Sequence, residues 1–253
     1  MYVILNEIIY DFRTAIDSGD TDMIYHVLLA LQEKNSSADF HMIVRKNPVA
    51  SKLYSLYCGQ NQDAGASLED WYRQEDDHSG LARLRYAESY STGNLPLRLA
   101  SLVTAQEQFS RARDEFGASV AKENHQLLKH QSGLEEKLGK PFLNLSLHDT
   151  LKRLVESNEV KLADSLKSEF KLSDRKYFWI KVRAYGDSQQ WSELSKLAKS
   201  KKTSPIGFAP FIDQCLKHNE KGHASKYLPL LTQEERLRYS VKLNLLQVNF
   251  NIN

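Results

Sequence analysis

The sequence contains few of the residues that interrupt helices, with 11 glycines and 6 prolines among 253 residues. Tight turns are built mainly from these two residues, and an all-β sandwich or barrel needs many such turns. Their scarcity therefore argues against an all-β fold. No apolar run approaches the roughly 20 residues that a membrane-spanning helix needs. These absences favour a helical chain with much charged surface.

The chain also has few cysteines, a small net charge and no known catalytic motif. Cys58 and Cys215 each fall within an apolar helical pattern, which predicts buried, reduced thiols and no disulfide. The net charge is only +2, so composition alone does not indicate a nucleic-acid-binding protein. The chain has no glycine-rich phosphate loop and no HExxH, CxxC or GxSxG motif. We therefore expect no enzymatic activity, no metal site and no cofactor.

The stretch 174–211 shows how the chain is organised. Several of its apolar residues share one face of a predicted helix, among them Tyr177, Ile180 and Ala184. The neighbouring face is apolar too, and such helices are usually buried between other helices. Gly186-Asp187 predicts the C-cap and turn that end this helix. Ser204-Pro205 predicts the N-cap and first residue of a later one.

Capping patterns mark the start of two further helices. Ser146 with Asp149 predicts a helix that begins at Leu147, and Thr232 with Glu235 predicts another near the end of the chain.

Turns of one kind recur along the chain, each with glycine or asparagine followed by an acidic residue. They are Ser18-Gly19-Asp20, Ser157-Asn158-Glu159, Tyr185-Gly186-Asp187 and His218-Asn219-Glu220. The last three are 28 and 33 residues apart (158 to 186 and 186 to 219). Periods of this size are typical of helical hairpins stacked as a solenoid. We therefore predict an all-α fold, an α-solenoid of stacked helical hairpins with one long helix in the middle.

The segment 96–138 has a narrow apolar seam at seven-residue spacing. Its members are Leu102, Phe109 and Phe116 and then, displaced by four, Val120, Leu127 and Leu134. The pattern predicts one long helix or two nearly continuous helices. The seam packs either against a helix of the same chain or against a partner. The predicted organisation is hairpins over 1–95, the long helix over 96–138, hairpin repeats over 139–240 and an irregular tail over 241–253.

Cations concentrate in the region that follows. Between residues 171 and 202 there are nine Lys or Arg and three Asp or Glu. Lys176, Trp179 and Arg183 lie three and four residues apart, so a tryptophan sits between two cations on one helix face, and Arg175 adjoins them. Tryptophan and arginine are typical interface anchors. The alternative is that Trp179 is buried in the stack.

Four segments carry a resemblance to a known family. They are AIDSGDTDMIYHVLLAL (15–31), NPVASKLYSLYC (47–58), FLNLSLHDTLKRLVE (142–156) and DRKYFWIKVRAYGDSQQWSELSKLAKSKKTSPIGFAPFIDQC (174–215). They resemble the C-terminal region of the vacuolar protein sorting-associated protein 16 family. The resemblance covers most of residues 13–228. Thr203 interrupts the KSKK–SPIG pattern, and the family's β-propeller and final helices are missing, so we expect a fragment or truncated product.

The resemblance implies a solenoid within the HOPS and CORVET membrane-tethering complexes, on the cytoplasmic side of late endosomes and lysosomes and peripheral to their membranes. It implies contacts with the other complex subunits and, indirectly, with SNAREs, but not with nucleic acid. It also implies recruitment of an SM-family SNARE chaperone, vacuolar protein sorting-associated protein 33, by the helices from about Glu115 to Lys217. Val120 and Lys176 match positions at that interface.

We therefore predict a non-enzymatic docking scaffold that binds an SM-family protein and supports vesicle fusion. The candidate partner-binding residues are Val120, Arg175, Lys176, Trp179 and Arg183. A rival of another class is a basic module that binds RNA or acidic lipid through the lysines between Lys196 and Lys202, although no aromatic platform accompanies them. A hydrolase ranks last, because no nucleophile is paired with a base.

Overall fold

A computed structural model describes residues 2–60, 65–200 and 204–243, with side chains described over 10–60, 68–200 and 204–243. Throughout these ranges the regular secondary structure is helical and contains no strand. The predicted all-α, solenoid-like fold is confirmed. No helix in the described ranges combines the length and the apolar character needed to cross a bilayer.

The chain divides into two compact units, Met1–Gln126 and Leu127–Asn253. The helices that begin in the first unit are α1 (Tyr2–Ser18), α2 (Thr21–Lys34), α3 (Ser37–Arg45), α4 (Pro48–Gln60), α5 (Gly65–Gln74), α6 (His78–Ser91), α7 (Leu95–Arg111) and α8 (Glu115–Leu138). Those of the second unit are α9 (Leu147–Glu156), α10 (Val160–Glu169), α11 (Asp174–Asp187), α12 (Trp191–Lys199), α13 (Ala209–Lys217), α14 (Lys221–Ala224) and α15 (Gln233–Lys242), with a 3-10 helix at Ser225–Leu230.

In the first unit, neighbouring helices pack in sequence, with α2 against α1, α3 and α4, and α6 against α7. The inner stripe of α2 supplies fully buried side chains at helical spacing, namely Ile24, Leu28 and Leu31. They meet residues of α3 and α4 in one core, which also contains Trp71 of α5. An amphipathic helix of this length is stabilised mainly by burying such a stripe.

The long helix predicted over 96–138 is divided in the structure: the segment forms two helices, Leu95–Arg111 and Glu115–Leu138, which is the other alternative that the sequence left open. Helix α7 ends in a turn where Arg113 is left-handed, with φ 59°. Asp114 then accepts a hydrogen bond from the backbone of Gly117 at 2.8 Å and caps the start of α8. Gly117 lies against the Phe109 ring, so close that a Cβ would come within 2.6 Å of it. In a continuous helix Phe109 and Gly117 would be about 12 Å apart along the axis, so this contact requires the break between α7 and α8.

The second unit is built from helical hairpins with one recurring turn. At each turn an N–H bonds back to a carbonyl five residues earlier: Glu159 to Leu154 at 2.9 Å, Gln190 to Tyr185 at 2.8 Å and Glu220 to Cys215 at 2.8 Å. The residue before each N–H is left-handed, and these residues are Asn158, Gln189 and Asn219. This is the Schellman motif. The observed turns are therefore 31 and 30 residues apart (158 to 189 and 189 to 219).

The prediction that Gly186-Asp187 forms a turn is wrong. Helix α11 continues to Asp187, and the left-handed residue is Gln189, with φ 56°. Gly186 is buried within the helix, where a Cβ would lie 2.8 Å from the Cβ of Gln214 on α13. The glycine is needed here for the close approach of two helices, since its backbone is helical.

The prediction that Ser204-Pro205 starts a helix is also wrong. Gly207 is left-handed, with φ 72°, so a helix cannot run through it, and α13 begins at Ala209 with Pro210 in its first turn. The predicted start of the irregular tail at residue 241 is wrong, because Val241 and Lys242 still belong to α15 and Leu243 is its C-cap. The rest of the predicted irregular tail, 244–253, lies outside the described residues, as do Lys201 and Lys202.

Helix α11 is central to the second unit, because it packs against α9, α12 and α13. Asp187 at its end forms ion pairs of 2.6 Å with Lys152 of α9 and Lys217 of α13. Burial by itself would raise the pKa of Asp187, but the hydrogen bonds from the two lysines outweigh this effect and lower the pKa to about 2. One carboxylate thus connects the first helices of three successive hairpins.

Candidate partner-binding site

Helix α11 carries most of the predicted partner-binding residues, and its start is well defined. Ser173 is the N-cap, and its hydroxyl accepts a hydrogen bond from the backbone N–H of Lys176 at 3.4 Å. Seven residues of the helix are buried. The exposed residues of the helix are Asp174 in its first turn and, on one strip, Arg175, Lys176, Trp179 and Arg183. The helical spacing of these residues therefore produces one exposed surface, as the sequence indicates.

The exposed strip borders a groove of about 690 Å³ on the second unit. Its apolar lining comes from three parts of the chain: Leu147 at the start of α9, Leu172 and Ile180 before and within α11, and Ile206 in the loop before α13. Arg175, Lys176, Trp179 and His148 complete the lining. A groove of this size falls in the range of sites that enclose a ligand. Its character is apolar with cationic groups at its border.

The cations of the exposed strip differ from Lys167 and Lys181 in having no carboxylate partner among the described residues. Lys181, also on α11, pairs with Asp164 at 3.0 Å, and Lys167 pairs with Asp174 at 2.6 Å. No carboxylate of the described residues lies within 4.0 Å of the charged groups of Arg175, Lys176 or Arg183. These three positive charges are therefore not neutralised by any carboxylate in the part of the chain that the structure describes.

Trp179 is 39% exposed, so the alternative in which the stack buries it does not hold. Together with Arg175 and Lys176 it lines the groove. Arg183 lies one turn further along the same exposed strip. The structure thus brings four of the five predicted residues onto one surface of the second unit, while their role in binding stays a prediction.

Val120, the fifth predicted residue, lies on the part of α8 that belongs to the first unit, and it is half-buried. One turn before it, Phe116 is 80% exposed, although Phe109 in the same predicted seam is buried. The seam is therefore internal at Phe109 and open to solvent at Phe116. Sequence reasoning grouped these residues but did not separate the two environments.

The apolar residues of the groove were missed by sequence reasoning. Leu147 follows the predicted cap Ser146, Leu172 lies between two helices, and Ile206 lies in a segment predicted to be helical. Each resembles an ordinary core residue in its local pattern. Only the exposed Trp179 on the neighbouring strip signalled that an apolar surface could lie nearby.

The lysine patch of the rival interpretation is partly neutralised. Lys196 pairs with Glu193 at 2.7 Å, three residues earlier on α12, and Lys199 is exposed. Within the described ranges, no three His, Cys, Asp or Glu side chains are grouped so that they could hold a metal ion. The groove on α11 is accordingly the candidate site with the most definite geometry.

A family model described as "Vps16, C-terminal region" matches residues 5–251 of the chain. The chain belongs to this family. It is 32% identical over 232 residues to the vacuolar protein sorting-associated protein 16 homolog of Drosophila melanogaster, a match that covers 92% of this chain and 27% of that protein. The corresponding homolog of Dictyostelium discoideum is 34% identical over 224 residues, with 86% and 27% covered.

A plant relative extends the match. Protein VACUOLELESS1 of Arabidopsis thaliana is 29% identical over 232 residues, covering 86% of this chain and 26% of that protein. The chain therefore spans about a quarter of the length of the curated relatives it matches. The candidate site lies within the part of the chain that matches the Vps16 C-terminal region. The resemblance predicted from four segments is confirmed over nearly the whole chain.

Proposed function

We propose that this chain is a non-catalytic scaffold of an endolysosomal membrane-tethering complex of the HOPS and CORVET type. It docks an SM-family SNARE chaperone, vacuolar protein sorting-associated protein 33, and so supports vesicle fusion and protein transport to the lysosome or vacuole. It acts in the cytoplasm, peripheral to late endosomal and lysosomal membranes, alongside the other complex subunits. The names of its relatives, which refer to vacuolar protein sorting, support this assignment.

The observation that carries the proposal is the exposed strip on α11. Trp179 lies between two cations, Lys176 and Arg183, that have no carboxylate partner within the described residues. Tryptophan and arginine are over-represented among the residues that anchor protein–protein interfaces, so a partly exposed tryptophan flanked by cations is the kind of surface that such an interface uses. The residues that the structure describes leave 39% of the Trp179 side chain exposed, and we infer that another protein covers it.

The arrangement suits docking. Unpaired cations attract an acidic surface and raise the rate of encounter, while the aromatic and the apolar groove beside it supply the contact area that slows dissociation. No covalent step is required of any side chain. Binding of this kind positions an SM-family protein on a rigid helical stack.

Lys176→Glu tests the proposal. We expect the variant to capture at least about tenfold less SM-family protein in a pull-down, because reversing a charge at an interface replaces attraction with repulsion. Lys161→Glu, the same change at another exposed lysine of the second unit, is the control and should bind normally. The circular dichroism spectra of both variants should equal that of the unchanged protein. If Lys176→Glu binds as well as Lys161→Glu, the strip on α11 is not the docking surface.

Val120→Asp tests the second predicted contact. If the Val120 surface binds the partner, the variant keeps its melting temperature and loses capture of the SM-family protein; Val49→Asp, at an exposed valine of the same unit, is the control. A fall in melting temperature by several degrees would instead mean that the seam packs internally at Val120. The exposure of Phe116 one turn away supports the intermolecular alternative.

The rival function has its own readout. A module that binds anionic lipid would float with anionic liposomes, and one that binds RNA would lose affinity steeply with salt. We expect neither behaviour at physiological ionic strength. Flotation or RNA binding that survives Lys176→Glu, combined with no capture of the SM-family protein, would replace the docking proposal with the rival.

A further inference from the structure

The groove beside α11 has a chemistry that indicates what occupies it. Ile180 is 2% exposed and forms part of the groove lining, and Leu147, Leu172 and Ile206 extend this apolar surface. The groove has a volume of about 690 Å³, which is more than one side chain packed against Trp179 would fill. Water in an apolar groove makes few hydrogen bonds with its walls. Replacing that water with apolar side chains is therefore favourable.

The charges at the groove select the sign of the occupant. Arg175 and Lys176 lie at its border without a carboxylate partner among the described residues. By contrast, the lysines that hold the second unit together are paired, as with Lys152 and Lys217 at Asp187. An occupant with carboxylates next to its apolar groups would complement both features of the groove.

We infer that the groove binds an acidic, amphipathic segment of the partner protein, with bulky apolar side chains inserted between Leu147 and Ile206 and with Asp or Glu side chains against Arg175 and Lys176. This inference rests on the proposed function, since it assigns the chemistry of the segment that the docked protein presents. Binding of an apolar face in a groove, guided by charges at the border, is a common mode of peptide recognition.

Other ligand classes fit less well. A nucleic acid would place phosphates, which need cations, against a lining that is mainly apolar, and Trp179 offers a single stacking surface. An anionic lipid would match the charge and the apolar lining, but membrane binding usually relies on a larger cluster of cations than Arg175 and Lys176 provide. A protein segment uses both the groove and the exposed tryptophan.

Cross-linking from within the groove tests the occupant directly. A photoreactive benzophenone amino acid in place of Ile206, in the full chain bound to the SM-family protein, should give one main cross-linked partner peptide. We expect that peptide to contain bulky apolar residues next to Asp or Glu. A basic or purely polar peptide, or no cross-link in a complex that forms normally, would overturn the inference.

Substitution of the groove provides the second measurement. Leu147→Glu places a negative charge in the apolar lining and should weaken the complex about tenfold or more, mainly through faster dissociation. Leu237→Glu makes the same change at an exposed leucine of α15 in the same unit and should stay within about twofold of the unchanged protein. Thermal melting of both variants shows whether each is folded. If Leu147→Glu does not fold, Ile206→Ser is measured in its place.

The outcomes separate the inference from the proposed function. If Lys176→Glu weakens the complex but neither groove substitution does, the docking function stands and the groove inference fails. If the unchanged chain captures no SM-family protein, the proposed function fails and the inference with it. If Leu147→Glu instead abolishes flotation with anionic liposomes, the occupant is a lipid and the inference is overturned.

Discussion

On the side of α11 that packs against other helices, polar groups are satisfied within the chain. Asp164 accepts hydrogen bonds from the Tyr177 hydroxyl at 2.7 Å and from Lys181 at 3.0 Å, and Lys181 lies 4.4 Å from the centre of the Tyr177 ring. Burial raises the pKa of Tyr177, and the hydrogen bond that its hydroxyl donates to Asp164 raises it further. On the exposed side, Lys176 has no such partner among the described residues.

The two sides of this helix should therefore contribute differently to stability and to the proposed docking. Groups whose partners are all within the chain stabilise the fold, and their removal should lower the free energy of unfolding. Groups without partners contribute little to stability, so a substitution of Lys176 should act on the proposed docking and not on the fold. The contrast can be tested with pairs of substitutions that differ mainly in the side of the helix they affect.

The largest expected effect is that of Val182→Asp. Val182 is fully buried, and an unpaired carboxylate there should cost about 4 kcal/mol or more, enough to unfold the second unit. Arg183→Asp, at the next residue but on the exposed side, should change stability by less than about 0.5 kcal/mol. Urea denaturation followed by circular dichroism measures both. Equal losses at the two positions would remove the distinction between the sides.

A smaller effect is expected from Asp187→Asn, and it depends on pH. Because the pKa of Asp187 falls from 3.8 to about 2 in the folded state, its carboxylate stabilises the fold by about 2 kcal/mol at neutral pH. That stabilisation is present above about pH 4 and is lost as the pH falls toward 2. Urea midpoints measured across this interval should therefore converge for Asp187→Asn and the unchanged protein. A constant difference down to pH 2 would contradict the ion-pair explanation.

The smallest expected effect comes from comparing two lysines. Lys181→Met should lower stability by at most about 1 kcal/mol, the usual contribution of a partly exposed ion pair, and leave partner capture unchanged. Lys176→Met should do the reverse, with unchanged stability and weaker capture. Urea midpoints measure the stability of the two variants, and a pull-down on the same samples measures their capture of the partner. If Lys181→Met weakens capture more than Lys176→Met, the assignment of the two sides is wrong.

Local sequence signals predicted much of this fold. Ser146 with Asp149 placed the start of α9, and the structure has Ser146 as its N-cap. Thr232 with Glu235 placed the start of α15, where the full capping box is present. These motifs depend on hydrogen bonds between residues three apart, so nothing elsewhere in the chain has to be known.

Other features were not accessible from local signals. Gly186 looked like a turn because glycine often ends helices, yet its role is to allow contact with Gln214 on α13. The actual turn has Gln189 in the left-handed conformation, a residue with no strong preference for it. The predicted period of 28 and 33 residues was therefore less regular than the observed 31 and 30 (158 to 189 and 189 to 219).

The sequence by itself determined the helical class, the hairpin repeat and the spacing that puts Lys176, Trp179 and Arg183 on one strip, because each follows from residues within a few turns of one another. Only the tertiary structure decided that Trp179 is partly exposed and that Leu147, Leu172 and Ile206 meet beside it. Burial and grooves depend on which distant segments pack together, and helical periodicity carries no information about that choice.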